Sequence, residues 1–481
     1  MKAIPDKGSR PEEVLDSLEE MRRFDRDSAS GRSMTNVYLA TEDAKRLAEE
    51  AYRRFLWENA LDPTAYPSLP RMERDVVAMC ISHLGGDERC VGSFTSGGTE
   101  SVMMAVKAAR DWARSRRPEL DRPVVVMPST AHPCFHKAGA YLGVEIRTVP
   151  VDPETCRVDP AAMDEAVCDR TIMLAASAPG YPHGVVDPIE EIAEIALTRN
   201  LLFHVDACIG GFVLPFLREL GVEIPAFDLS VEGVTSISMD LHKYAFCAKG
   251  ASVVLYKDPD LRRHQFFAWS GWPGYVVLNP TVQSSKPGGP LAAAWAVLNH
   301  LGRDGYMKIF SDLWDATLRA HEAVRAITEL RLMGEPTSTL FSLASDEIDV
   351  FALADAMKKR GWDMYPQLSW GGLPHTLHVT MLPGNVPLVG EWARDLADCV
   401  REVKENRSED SLASVRAAVS EMDLSALSVG EIEELMTAAG IGASSLSGEM
   451  RDVNRLLDEL PRDVCDKVLT VFLDRLTRPA R

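Results

Sequence analysis

Lys243 follows a histidine in "SMDLHKY", between a β-like run and the strand-like "ASVVLY". Burying an ammonium is costly, so a lysine at a strand end inside an α/β region calls for a reason. It has one if the amine is held as an imine, and a neighbourhood that depresses its pKa would make it a good Schiff-base former. Asp206 closes the mostly apolar run "LLFHVD" at what reads as the carboxyl edge of a strand, where open α/β sheets bind ligands. His132, in "STAHPCFHKA", stands between the strand-like "PVVVMPS" and a helix. Ser96, Gly97, Gly98 and Thr99 form a glycine turn leading into "ESVMMAVKAAR". Such a turn exposes backbone N–H groups, and the helix N-terminus adds partial positive charge, which suits a phosphate. Each feature alone has an ordinary explanation as a turn, a cap or a core histidine. Together they fit pyridoxal 5′-phosphate (PLP), with Lys243 on the aldehyde, Asp206 on the pyridine nitrogen, His132 on the ring face and the glycine turn on the phosphate.

The elements that must position these residues show as an alternation. Between about residues 90 and 260, β-rich runs ("PVVVMPS", "EIRTVPV", "TIMLAAS", "LLFHVDA", "SISMD", "ASVVLYK") alternate with helical stretches ("PCFHKAGAYLG", "PIEEIAEIALTRN"). That pattern predicts an α/β domain with a mainly parallel sheet. Residues 1–60 read as an N-terminal helical segment, 61–310 as the large PLP-binding domain and 311–481 as a smaller C-terminal domain with strands such as "TLHVTML"; "KENRSEDSLASV" at 404–415 reads as a polar surface loop.

The 481 residues suffice for two or three domains. A net charge of −19 argues against a general nucleic-acid binder, which needs a basic footprint. Nine cysteines without metal spacing read as reduced thiols of a cytoplasmic protein. The polar first thirty residues do not read as a signal peptide, and the longest uncharged run is broken by Gly271, Pro273, Gly274 and Pro280, so no membrane span is expected.

The sequence resembles the fold-type I PLP enzymes of the group II decarboxylase superfamily, and within them it is similar to sphingosine-1-phosphate lyases. The stretches that carry the likeness are "TSGGTES", "AHPCFHKA", "APGYPHGVVDPI", "HVDACIGGFVLPF", "SISMDLHKY", "KGASVVLY", "SSKPGGPLAAAWA" and "RGWDMYP". The resemblance implies an aspartate-aminotransferase-like large domain with a mainly parallel seven-stranded sheet, plus a smaller α+β domain. It implies that Lys243, His132 and Asp206 serve the cofactor as above, and that Thr99, Gly98 and His242 contact its phosphate. Ser285 matches a residue that reaches the cofactor phosphate of a neighbouring subunit, which implies a homodimer with shared active sites. Tyr38 matches a tyrosine near the substrate, and Lys249 a lysine that works beside the substrate in proton transfer or phosphate recognition. Asp62 stands where those lyases have a histidine that helps hold the substrate phosphate; a carboxylate there favours a cation or a neutral donor over a phosphate. No membrane anchor of the eukaryotic kind is expected.

The expected activity is PLP-dependent cleavage of the Cα–Cβ bond of a β-hydroxy amine, a small molecule, to an aldehyde and a smaller amine. Tyr38 and Lys249 are the candidates for its proton steps. An α-decarboxylase of amino acids is the alternative, favoured by Asp62 if it holds a distal amine. A catalytically dead scaffold is a third reading, opposed by the intact lysine, aspartate and histidine.

Overall fold

The computed structural model describes residues 3–479 except 24, 28–29, 63, 407–428 and 439–448. The polar segment 404–415 therefore lies, from residue 407 on, outside the described residues. The large domain is built on seven strands, β1 (Val91–Thr95), β2 (Val124–Pro128), β3 (Glu145–Val149), β4 (Thr171–Ser177), β5 (Leu202–Asp206), β6 (Ser236–Met239) and β7 (Ser252–Tyr256). Their order across the sheet is β1-β7-β6-β5-β4-β2-β3. Strands β2 to β6 pair in parallel, and β7 pairs antiparallel with both β6 and β1.

The central strands are buried along their whole length, which is why they read as continuous apolar runs rather than alternating ones. Successive side chains still serve opposite faces. In β2, Val124 and Val126 join the core on one side, while Val125 and Met127 join the core on the other. Helices Gly98–Arg116, Cys134–Leu142 and Ile189–Arg199 follow β1, β2 and β4, so the loops leaving β1, β2, β4, β5 and β6 gather at one edge.

A two-stranded hairpin, β8 (Phe267–Trp269) with β9 (Val277–Asn279), follows β7. The long helix Gly288–Arg325 then leads to a four-stranded antiparallel sheet of β10 (Arg331–Leu332), β11 (Leu340–Ala344), β12 (Tyr365–Gln367) and β13 (Thr376–Thr380). Beyond helix Val389–Glu405, a separate small core of Ile432, Leu456, Leu460, Val464, Cys465, Val468 and Val471 holds the C-terminal helices together. Among the described residues, no helix is long and apolar enough to cross a membrane.

Candidate active site

Five strand ends supply the site. Beyond β1 the chain turns through Ser96 and Gly97 into a helix whose N-cap, Gly97, offers no side-chain cap. The first-turn N–H groups of that helix are thus left to an anion. Gly98 is required here by close approach, since a Cβ would lie 2.8 Å from Cys208 Sγ and 2.9 Å from both carboxylate oxygens of Asp240. Asp206, the last residue of β5 and buried, accepts the backbone N–H of Cys208 at 3.0 Å and the Ser238 hydroxyl at 3.4 Å. Ser238 in turn contacts the buried His204, so the carboxylate is oriented by a second layer of polar groups. His132 follows β2 and accepts the Cys134 N–H on Nδ1 at 3.2 Å. Burial, aided by the Lys243 ammonium and opposed by Asp206 and Asp240, holds its imidazole below the ordinary value, so it presents a neutral ring.

Lys243 does not have the depressed basicity expected of it. Its Nζ lies 2.9 Å from Asp240 Oδ2. Burial alone would lower Lys243, but Asp240, with Cys208 and Tyr38, holds it above the ordinary lysine range. Asp240 itself is pushed up by burial and brought below the usual carboxylate value by Lys243 and His242. The resting lysine is therefore an ammonium stored on an aspartate three residues before it. Asp240 Oδ1 is buried without a hydrogen-bond partner. His242, pushed down to about 4 by burial, accepts the Ala251 N–H on Nδ1 and turns Nε2 toward Asp240 at 3.7 Å.

Ser96, Gly97, Gly98, Thr99, His132, Asp206, His242 and Lys243 line one cleft of about 560 Å³, and Asp240, Glu100, Asn36 and Tyr181 line it with them. A larger cleft of about 690 Å³ opens beside Trp370, Arg331 and Arg462, but it gathers no lysine, histidine or buried acid, so the chemistry belongs to the former. Tyr38 is buried edge-on to Tyr244, 5.2 Å between centroids. Lys249 lies 5.0 Å over the Tyr38 ring and donates to the His242 carbonyl at 3.4 Å.

Four of the expected residues do not line the cleft of their own chain: Tyr38 and Lys249 stand behind it, and Asp62 and Ser285 lie on the exposed surface. Asp62 is exposed, and its Oδ1 accepts both the N–H and the hydroxyl of Thr64, bonds that hold its carboxyl below the usual range. Within this chain it closes a turn rather than facing a substrate. Ser285 is exposed as well. The segments that carry these two are joined, because Ala60 N–H donates to the Lys286 carbonyl at 2.9 Å, Gly288 N–H donates to the Glu58 carbonyl at 2.8 Å, and Asn59 bridges to Pro287.

Asp240, Glu100, Tyr181 and Asn36 were missed in the sequence. Tyr181 comes from loop 178–187, which stacks it on His378 of β13 at 4.3 Å and so joins the second sheet to the cleft. Gly184 fixes that loop, since a Cβ there would stand 1.9 Å from the Leu340 carbonyl oxygen. Asn36 has φ 54, a strained value that asparagine tolerates better than most, and donates to the Tyr365 hydroxyl at 3.0 Å.

The loop that carries Tyr181 ends at Asp187, whose Oδ2 accepts the Ser177 N–H at 2.8 Å. Burial pushes Asp187 up to about 7. Its folded value lies above the unfolded one, so its contribution to stability is full in acid and falls as pH rises from about 4 to about 7. At about 1.4 kcal/mol per pH unit, the fall is up to about 4 kcal/mol. Asp187→Asn keeps an acceptor for Ser177, and is expected to remove that decline when thermal unfolding is followed from pH 5 to 8. An unchanged pH dependence would place the titration elsewhere.

The model of the pyridoxal-dependent decarboxylase conserved domain matches residues 3–343. The chain belongs to the pyridoxal-dependent decarboxylase family. A second model, the C-terminal HTH domain of pyridoxal-dependent enzymes, matches residues 413–475. Among relatives, the chain is 39% identical to a sphingosine-1-phosphate lyase of Arabidopsis thaliana, over 82% of this chain and 73% of that one. It is 34% identical to sphingosine-1-phosphate lyase 1 of Rattus norvegicus, over 84% and 71%. The solved sphingosine-1-phosphate lyase of Burkholderia pseudomallei superposes with a TM-score of 0.81 at 35% identity, covering 88% of this chain and 96% of that one. Within the family the chain falls in the lyase branch. A glutamate decarboxylase of Lactobacillus brevis, at 19% identity and a TM-score of 0.74, shares the fold.

The protein is thus a PLP-dependent lyase of fold type I. The residues present fit the cofactor: an uncapped helix N-terminus for its phosphate, an oriented buried carboxylate, a neutral imidazole and one lysine, all on one cleft. The cofactor supplies an aldehyde and an electron-accepting ring. The chain supplies a proton acceptor for Lys243 at Asp240 Oδ2, a fixed negative charge at Asp206 and a flat apolar face at His132.

Proposed function

We propose that the chain is a homodimeric cytoplasmic lyase that cleaves the Cα–Cβ bond of a phosphorylated β-hydroxy amine of the sphingosine 1-phosphate class. The observation that carries this reading is the second amine. Lys249 stands on the loop that bears Lys243, over the buried Tyr38 ring, and outside the phosphate turn. Partial desolvation and the Lys243 charge, against Asp240, lower Lys249 from the ordinary lysine range, the direction that suits a base. Burial instead raises Tyr38, against Lys243, so its phenol stays protonated and donates. Lys249 takes the proton of the substrate hydroxyl, and Tyr38 donates a hydrogen bond beside it. The substrate class comes from the lyases that the chain resembles.

Lys249→Ala is expected to lower kcat/KM for aldehyde release by about 10²–10⁴-fold. A base must lose its proton to act, so the wild-type rate rises with pH through the lowered Lys249 value. That limb should vanish in the variant. Comparing phosphorylated with unphosphorylated sphingoid bases in the same assay tests the substrate class. Carbon dioxide release from amino acids, without aldehyde, would overturn the reading in favour of an α-decarboxylase.

The dimer is supported by apolar surface that a single chain leaves bare. Helix Pro11–Arg22 buries none of its residues, although Val14, Leu15, Leu18 and Met21 share one face. The hairpin exposes Phe267, Trp269, Trp272, Tyr275 and Leu278. Asp62 and Ser285, on segments joined through residues 58–60 and 286–288, lie outside their own cleft, as residues serving a partner's cleft would. Random mixing of Lys243→Ala with Ser285→Arg chains is expected to restore about a quarter of wild-type activity, since half the dimers are mixed and each holds one intact site. Tagged mixed dimers that stay inactive would sink the shared site. A cytoplasmic location is supported by the nine cysteines, all free thiols.

A further inference from the structure

Between the hairpin and the long helix, residues 280–287 form a strap tied down by two carboxylates from other elements. Glu100, in the first helical turn after the phosphate turn and 7% exposed, uses both of its oxygens. Oε2 accepts the backbone N–H of Ser96 at 2.7 Å, and Oε1 accepts the backbone N–H of Val282 at 2.8 Å. Glu73 holds the buried Lys286 at 3.0 Å, and Lys286 also donates to the Phe94 carbonyl at 3.0 Å. Exposed Ser285 lies between the two tethers.

For an anion site, Glu100 is badly placed if it only caps a helix. Its charge opposes a phosphate at the same helix N-terminus, and it occupies the Ser96 N–H that the turn would otherwise offer. A local cap would also have no use for Val282, 182 residues away. One rigid carboxylate shared by the turn and the strap cannot follow one without disturbing the other.

We propose that Glu100 couples phosphate occupancy of the Ser96–Thr99 turn to the position of strap 280–287, and so to the face that carries Ser285. This rests on the reading of that turn as the cofactor's phosphate site. A phosphate that draws on the Ser96 N–H shifts the carboxylate, and Val282 shifts with it. In a dimer whose straps serve the partner's clefts, filling one site then prepares the other. Glu100 is a positioning residue: it acts through Ser96 and Val282.

Glutamine is a close probe, because its amide has one acceptor oxygen and two donors where the carboxylate has two acceptors. Glu100→Gln can keep Ser96 or Val282, not both, with little change of shape. Val282→Pro removes the donor at the strap and leaves the turn intact. The experiment is hydrogen–deuterium exchange on the full chain with and without inorganic phosphate, together with calorimetric phosphate affinity. In the wild type, phosphate is expected to slow exchange about threefold or more in both 96–99 and 280–286. In either variant slowing is confined to 96–99, while the Glu100→Gln chain binds phosphate as well or better for having lost a charge. A strap slowed equally in the variants, or unmoved in the wild type, overturns the coupling. Phosphate that fails to slow 96–99 in the wild type overturns the phosphate-turn reading instead.

Discussion

Lys243→Ala is expected to abolish turnover and the borohydride-reducible cofactor adduct, and to lower stability as well. The second effect follows from Asp240. In the native chain Asp240 is 2% exposed and its Oδ2 lies 2.9 Å from the Lys243 ammonium. Removing one partner of a buried pair leaves the other charge uncompensated, a loss of about 3–5 kcal/mol for a fully buried pair; with the lysine side chain 22% exposed, about 3 kcal/mol is the expectation. Asp240 then relieves itself by taking a proton, so the loss should shrink in acid. The double change Lys243→Ala with Asp240→Asn should recover most of the thermal stability and none of the activity. This separates the lysine's chemistry from its place in the fold: Tm reads the ion pair, and borohydride trapping reads the amine. A Lys243→Ala chain that still traps the cofactor on another lysine would show that the reacting amine has been misassigned.

What the sequence conveyed follows the range of the interactions involved. Strands β2 and β4 to β7 were legible because both of their faces are buried, which leaves runs such as "TIMLAAS" nearly free of charge, while the edge strand β3, only partly buried, was legible from its β-branched residues. β1, "VGSFT", escaped notice because its glycine and serine look like the turn that follows. Lys243, Asp206 and His132 each stand just beyond or at the end of a strand, and the edge rule alone brought them together. Asp240 was invisible for a different reason: an aspartate three residues before a lysine reads as an ordinary surface pair, and only its burial makes it the lysine's counter-ion. Glu100 reads as a routine acid in a first helical turn until Val282 arrives from 182 residues away. Asp62 was set against the substrate by position in the chain. Its actual neighbourhood depends on residues 58–60 pairing with 286–288, a contact that no local pattern announces.

Asp206→Asn should leave the cofactor bound and cost on the order of 10²–10³-fold in kcat. The asparagine Oδ1 can still accept the Cys208 N–H and the Ser238 hydroxyl, the two contacts that orient the native side chain, so packing is kept. What is lost is a full negative charge at a buried position, 7% exposed, where water cannot replace it. A neutral amide would not keep a proton on the pyridine nitrogen of a bound cofactor, so Asp206 would no longer support the electron-accepting chemistry that the cofactor supplies. Binding of the substrate does not depend on that charge, and KM should move far less than kcat. Asp206→Glu restores the charge but lengthens the arm by a methylene, and should recover part of the rate. His204 gives an independent check. It is held neutral by burial, down to about 4, and touches the Ser238 hydroxyl that donates to Asp206. His204→Phe should therefore loosen the carboxylate and lower kcat by a smaller factor, with the cofactor's absorbance shifted in the same sense as in the asparagine variant. Near-normal kcat in Asp206→Asn, with an unshifted spectrum, would reduce Asp206 to a strand-end residue and leave the electron sink to be found elsewhere in the cleft.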